Sequence, residues 1–168
     1  MGAGKSTVGA LLAQRLHWHF IDSDLMIEER AGSTIGQIFE QLGESAFRQT
    51  EASVIRELLQ RDHTVLAIGG GALETSETRA ALATMEDGCV IFLEAPLEIL
   101  IARCIEQPDA AIRPVLADRE RLAQRWEARL PYYAESHITV RTLDCSPEDV
   151  VNQILDQIGD RVKQGQSI

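Results

Sequence analysis

Basic residues are scarce in this chain. Sixteen Lys and Arg stand against 26 Asp and Glu, a formal charge of −10 over 168 residues. Affinity for nucleic acid rests largely on basic clusters meeting phosphates, so no nucleic-acid partner is expected. Any anionic ligand must then be held by a few focused cations, not by a general positive field. Cysteine is also short. Cys89, Cys104 and Cys145 are widely spaced and include no Cys-x-x-Cys pair. Neither a disulfide framework nor a zinc site is expected from them, and they read as reduced thiols of a cytoplasmic protein. No apolar run approaches the ~18 residues of a membrane span. The first residues lack the basic region and apolar core of a signal peptide, so no membrane association is expected. There is no internal repeat and no low-complexity segment. What is present is ordinary for a globular chain, 45% apolar and 25% charged, in a length that suggests one domain around one core.

The most informative stretch comes first. Gly2-Ala3-Gly4-Lys5-Ser6-Thr7 is the second half of a phosphate-binding loop, G-x-x-x-x-G-K-[ST]. Glycines let successive backbone N–H groups turn inward to face phosphate oxygens. Lys5 would neutralise the β and γ phosphates, and Ser6 offers a neutral oxygen to Mg²⁺. Residues 7–16 read as a helix, with Val8, Leu11, Leu12 and Leu16 at helical spacing, and its positive end would point at the same phosphates. The loop's first glycine and the strand that normally feeds it would lie before Met1. A chain starting there would leave neighbouring strands with unpaired backbone groups, each costing about 1–3 kcal/mol if buried. Met1 is therefore expected to be an internal residue taken as the start. The in-frame codons upstream test this, because an apolar run ending in Gly-x would support it and a stop codon would exclude it.

Strands alternating with helices follow, which implies an α/β fold with a parallel sheet. The expected strands are about 19–21, 64–68, 89–93 and 138–140, and one before Met1 would make five. Between the first two, residues 23–60 read as consecutive helices broken at Gly32 and Gly43. Ser33 or Thr34 caps the second, and the set forms a substrate-side insert. Later helices are expected at about 76–85, from Pro96 to 104, at 119–133, and from Ser146-Pro147 onward. Residues 105–119, punctuated by Pro108 and Pro114, read as a closing lid. Residues 1–159 are taken as one domain and 160–168 as a tail.

Asp22 and Asp24 flank Ser23 at the C-terminal end of the first strand, the edge where open α/β sheets bind ligands. On an extended chain both would project to one side. One carboxylate can orient Mg²⁺ or its water, and the other can take a proton from an attacking hydroxyl. The bland alternative is helix capping by Ser23 or Asp24. Gly69-Gly70-Gly71 after the 64–68 strand implies close backbone approach or a turn. Arg48 and Arg129 are single cations on mixed helices, by default solvated. Arg113, in the lid, has a better case for reaching a transferring phosphoryl group. His17 and His19 read as surface or packing residues.

Taken together, these elements resemble the shikimate kinases. They are Asp22-Ser23-Asp24, Gly32-Ser33-Thr34-Ile35, Ile38-Phe39, Gly43-Glu44-Ser45-Ala46-Phe47-Arg48-Gln49-Thr50-Glu51, Gly69-Gly70-Gly71, Arg113-Pro114 and Arg129-Leu130-Pro131-Tyr132-Tyr133. The resemblance spans about residues 1–159, and the F-R-x-x-E element with D-x-D and G-G-G makes it far more specific than the loop alone. It implies the fold of the nucleoside monophosphate kinases, a P-loop NTPase with a parallel sheet flanked by helices. It implies ATP-dependent phosphorylation of the shikimate 3-hydroxyl, in the route to chorismate and aromatic amino acids. By the family's pattern, Asp24 would hold shikimate hydroxyls and act as base. Arg48 and Arg129 would clamp the carboxylate, with Glu51 orienting Arg48, and Gly69, Gly70 and Gly71 would line the substrate. Gly2 to Thr7 with Arg113 would bind the phosphates and Arg103 would stack near the adenine. Ser6 would ligate Mg²⁺, and Asp22 would act through its water. Two Arg residues on one small carboxylate are how so acidic a chain could bind an anion. The adenine-side loop Asp144-Cys145-Ser146-Pro147 lacks the basic residue often found there. The alternatives are a kinase of another small hydroxy acid such as gluconate, and an impaired form without its first strand. A monomer is expected.

Overall fold

The chain opens on a glycine turn that runs directly into a helix. In the computed structural model, which describes residues 2–85, 88–106 and 119–163, Gly2 and Gly4 have φ of +69° and +83°. Only glycine enters that region without a Cβ penalty. At residue 2 there is also no room, because a Cβ would strike the Leu100 carbonyl oxygen and lie 3.1 Å from Cys104 Sγ. Helix α1, Lys5–Leu16, follows at once. Val8 N donates to Gly4 O at 2.8 Å and closes its first turn.

Two compact units form, one of residues 9–85 and one of residues 1–8 with 86–168. In the first, β1 (His19–Asp22) and β2 (Thr64–Ala67) pair in parallel, with Phe20 opposite Val65 and Asp22 opposite Ala67. Helix α2 (Ser23–Ala31) ends on Gly32 in the left-handed conformation, as the sequence predicts. Thr34 then caps α3 (Ile35–Leu58). Its Oγ1 accepts from Gln37 N at 3.3 Å, and its own N–H donates to Gln37 Oε1 at 2.9 Å, a reciprocal capping box. The helix end expected at Gly43 is found: with φ 79° and ψ 167° its backbone is non-helical, so α3 is two helical segments, residues 35–42 and 44–58, meeting at a kink. This bend keeps Ile38 and Phe47 on one core with Ile27, Val54 and Leu58, against which Ile21 and Leu66 of the strands pack. After β2 come Gly69 to Gly71, a 3₁₀ turn (Ala72–Glu74) and α4 (Ser76–Ala83).

In the second unit β3 (Ile91–Glu94) pairs in parallel with β4 (Ile138–Arg141), Ile91 opposite Ile138. The strand expected at 89–93 thus begins later. Val90 lies outside the ladder, its carbonyl accepting from both His137 N and Ile138 N. Pro96 is the cap of α5 (Leu97–Ile105) and not its first residue. Helix α6 (Arg119–Tyr133) stacks Tyr133 on Phe92 of β3 at 4.7 Å between ring centroids. Helix α7 (Pro147–Lys163) starts where Ser146 and Asp149 bond each other's backbone N–H groups. It buries Val150, Val151 and Ile154. Among the described residues there are four strands, all in parallel pairs flanked by helices, the expected α/β class. Most of the expected lid, with Arg113 and Pro114, and residues 164–168 of the expected tail lie outside the described residues.

Candidate active site

The D-S-D stretch does not continue as strand. β1 stops at Asp22 and α2 starts at Ser23, so the two carboxylates do not share a strand face as the extended reading had it. Asp22 is the N-cap, its Oδ1 accepting from Asp24 N at 3.0 Å, and Asp24 stands in the first helical turn. The capping role expected of Ser23 or Asp24 therefore falls to Asp22. The physical reason is that an acid just before a helix satisfies an orphan N–H and favours the positive end.

Across from Asp24, α3 presents Arg48 and Glu51, one turn apart. Glu51 is buried, 1% exposed, and its Oε2 accepts from Arg48 Nη1 at 2.6 Å. Burial pushes the Glu51 carboxyl above the ordinary range, against the pull of Arg48. Arg48 Nη2 reaches Glu44 Oε1 at 3.3 Å and lies 3.9 Å from Glu74 Oε2. Burial opposes the guanidinium charge, and these three carboxylates outweigh it, so its pKa is raised. The guanidinium lies over the Phe47 ring, with Cζ 5.3 Å from the ring centre. Arg48 Nε is buried with no partner among the described residues.

The glycine run shows why it must be glycine. A Cβ at residue 69 would lie 2.5 Å from Glu51 Oε1 and 3.0 Å from Asp24 Oδ1. One at residue 71 would strike Arg48 Nη2 and lie 2.8 Å from Cζ. The backbone at 69–71 thus forms a floor on which a carboxylate and a guanidinium rest. Asp24, Arg48, Glu51, Gly69 and Gly71 form a single cluster in the unit of residues 9–85. It combines a cation with a buried donor to spare, a carboxylate in a helical first turn, and close backbone, which suits a small ligand carrying both a carboxylate and hydroxyls.

The phosphate loop, Arg103 and Arg129 belong to the other unit. Lys5 and Ser6 open α1 directly after the glycine turn. Arg103 donates to Thr142 Oγ1 at 3.0 Å and to Thr142 O at 2.8 Å, which holds its plane beside the loop leading to α7. Arg129 lines a cavity with Leu100, Ile101, Cys104, Trp126 and Tyr133.

Known proteins decide what this arrangement belongs to. The family model described as shikimate kinase matches residues 1–159. The chain belongs to the shikimate kinase family. A shikimate kinase of Vibrio cholerae serotype O1 is 42% identical over 163 residues, covering 96% of this chain and 92% of the relative. One from Shewanella sp. strain ANA-3 is 41% identical over 160 residues, covering 95% and 92%. The solved shikimate kinase of Acinetobacter baumannii in complex with shikimate superposes with a TM-score of 0.83 at 38% identity, covering 96% of this chain and 89% of that one. That of Aquifex aeolicus gives 0.83 at 32% identity, covering 96% and 94%. Among the site residues that the shikimate kinase resemblance selects, Arg113 lies outside the described residues. Glu44 and Glu74, which the resemblance does not select, also stand at Arg48. Glu44 carries a sequence signal, since it precedes Arg48 by one helical turn. Glu74 carries none, because it meets Arg48 only through the tertiary fold.

Proposed function

We propose that this chain is a shikimate kinase that transfers the γ-phosphoryl of ATP to the 3-hydroxyl of shikimate, giving shikimate 3-phosphate and ADP. The observation that carries the reading is the Asp24–Arg48–Glu51 cluster on the Gly69–Gly71 floor. Arg48 takes the substrate carboxylate, with Glu51 holding the guanidinium in place and Arg129 as a second cation. Asp24 binds the hydroxyls and accepts the proton of the attacking one, while backbone at Gly69, Gly70 and Gly71 lines the ring. At the phosphate end, backbone N–H groups from Gly2 to Thr7, with Lys5, hold the β and γ phosphates. Arg113 adds charge to the transferring group, and Arg103 stacks on the adenine.

The donors available to Mg²⁺ fit a hard cation. Ser6, in the first turn of α1, would ligate it, and Asp22, at the end of β1, would act through its water. A hydroxyl and a carboxylate are oxygen donors of the kind such an ion takes. When bound with ATP, the ion neutralises charge on the β and γ phosphates. We also read residues 1–159 as one catalytic domain of a monomeric cytoplasmic enzyme. The free thiols Cys89, Cys104 and Cys145 fit a reducing compartment. No helix among the described residues is long and apolar enough to cross a membrane.

The test is a substrate panel with ATP and Mg²⁺, following ADP release and identifying the product by phosphorus NMR. ADP release should depend on shikimate and yield the 3-phosphate. Equal turnover with and without shikimate, or a preference for gluconate, would refute the assignment. Gly71→Ala probes the floor. Arg48 is pinned by Glu51, so the added methyl must displace the guanidinium. The KM for shikimate should rise on the order of 10- to 100-fold, the cost of a roughly 1 Å misplacement, while the KM for ATP holds.

A further inference from the structure

We infer that Glu74 sets the enzyme's affinity for its acid substrate by competing for Arg48, a resident carboxylate that weakens binding of the incoming one. This rests on the reading of Arg48 as the cation that takes the substrate carboxylate. Three carboxylates already surround that guanidinium, and they are not equivalent. Glu51 is buried at 2.6 Å and bonded to Nη1. Glu44 and Glu74 both gather at Nη2, at 3.3 and 3.9 Å, and their side chains are 43% and 35% exposed. Glu44 is fixed to the same helix as Arg48. Glu74 comes from the 3₁₀ turn after the glycine run, and its separation from Nη2 is beyond hydrogen-bond range, so its hold is Coulombic. Of the three it holds Arg48 most loosely. A substrate carboxylate arriving at this guanidinium meets repulsion from Glu74 and must share the same positive charge.

The backbone of the turn is held by a group other than the Glu74 carboxylate. Arg79 Nη1 donates to Leu73 O at 2.6 Å and to Glu74 O at 3.0 Å, which clamps the turn from outside. Glu74→Gln therefore removes the charge and leaves the turn in place.

Shikimate binding is measured by calorimetry for the unmodified chain, Glu74→Gln, and the pair Arg48→Ala/Glu51→Gln, which leaves no buried charge unpaired. Glu74→Gln should tighten the shikimate Kd about two- to five-fold, the range expected of a weakly screened ion pair. The KM for shikimate should fall in parallel, with the KM for ATP and the melting temperature unchanged. The gain should vanish with the methyl ester of shikimate, which brings no charge, a distinction that a merely structural role for Glu74 would not produce. An unchanged or weaker Kd in Glu74→Gln, alongside lost binding in the Arg48 pair, overturns the role of Glu74 and leaves Arg48 as the clamp. Unchanged binding in the Arg48 pair overturns both.

Discussion

Arg48→Ala should abolish useful turnover of shikimate and at the same time strip the unit of residues 9–85 of much of its stability. The two losses have different causes. Removing the cation that meets the substrate carboxylate should lower kcat/KM on the order of 10³-fold, as expected for truncating one side of a desolvated charge pair. The stability loss comes from Glu51. It is 1% exposed, and without Arg48 it becomes a buried carboxylate with no counter-charge, a situation costing about 3–5 kcal/mol against a total of ~5–15 kcal/mol. The pH dependence gives the sign. Burial raises the Glu51 pKa in the folded state, and Arg48 opposes that rise. In the variant the opposition is gone, so the folded state binds the proton more tightly than the unfolded chain. Its stability is then greatest below the ordinary Glu pKa and declines as pH rises through the folded value. Thermal melts across acidic to neutral pH should show the variant recovering stability on acidification. Adding Glu51→Gln should restore the melting temperature near neutral pH without restoring turnover. Equal melting curves for Arg48→Ala and the unmodified chain would show that the pair does not hold this unit together.

Asp24→Asn should leave the fold intact and lower kcat by about 10²- to 10⁴-fold, the usual contribution of a positioned general base. The shape is conserved, and Asp22, not Asp24, supplies the helix cap, so α2 should keep its start. The kinetic pattern separates two roles. A proton acceptor lost from the transition state lowers kcat and kcat/KM together, whereas a group that only binds hydroxyls raises KM with kcat kept. Steady-state kinetics at saturating ATP decide between them, and retention of kcat would remove Asp24 from the proton transfer.

How much of this was legible beforehand depended on distance along the chain. The phosphate loop, the C-cap at Gly32, a helix cap at Ser33 or Thr34 and the start of α7 at Ser146-Pro147 each lie within a few residues, where spacing alone specifies geometry; the structure picks Thr34. The break at Gly43 was legible too, since the glycine takes a positive φ that interrupts the helix; that Ile38 and Phe47 on either side of it share one core was not. The strand expected at 19–21 runs one residue further, to Asp22, and the helix starts at Ser23 as expected; which acid caps it was not legible, because an acid that caps a helix and an acid that ends a strand look alike in sequence. The choice between Ser23, Asp24 and Asp22 as cap was made by where β2 pairing stops.

The sequence by itself determined the phosphate chemistry, the α/β class and the shikimate kinase family. Those rest on short motifs whose residues act together through local backbone geometry. Tertiary structure alone decided that Gly69 and Gly71 are the floor for Glu51, Asp24 and Arg48, that Glu51 is buried, and that Glu74 stands beside Arg48. The pairs that meet, Gly69 with Glu51 and with Asp24, Gly71 with Arg48, and Glu74 with Arg48, are 18, 45, 23 and 26 positions apart in the chain. No periodicity links positions so far apart; the packing of α3 against the turn that follows β2 brings them together.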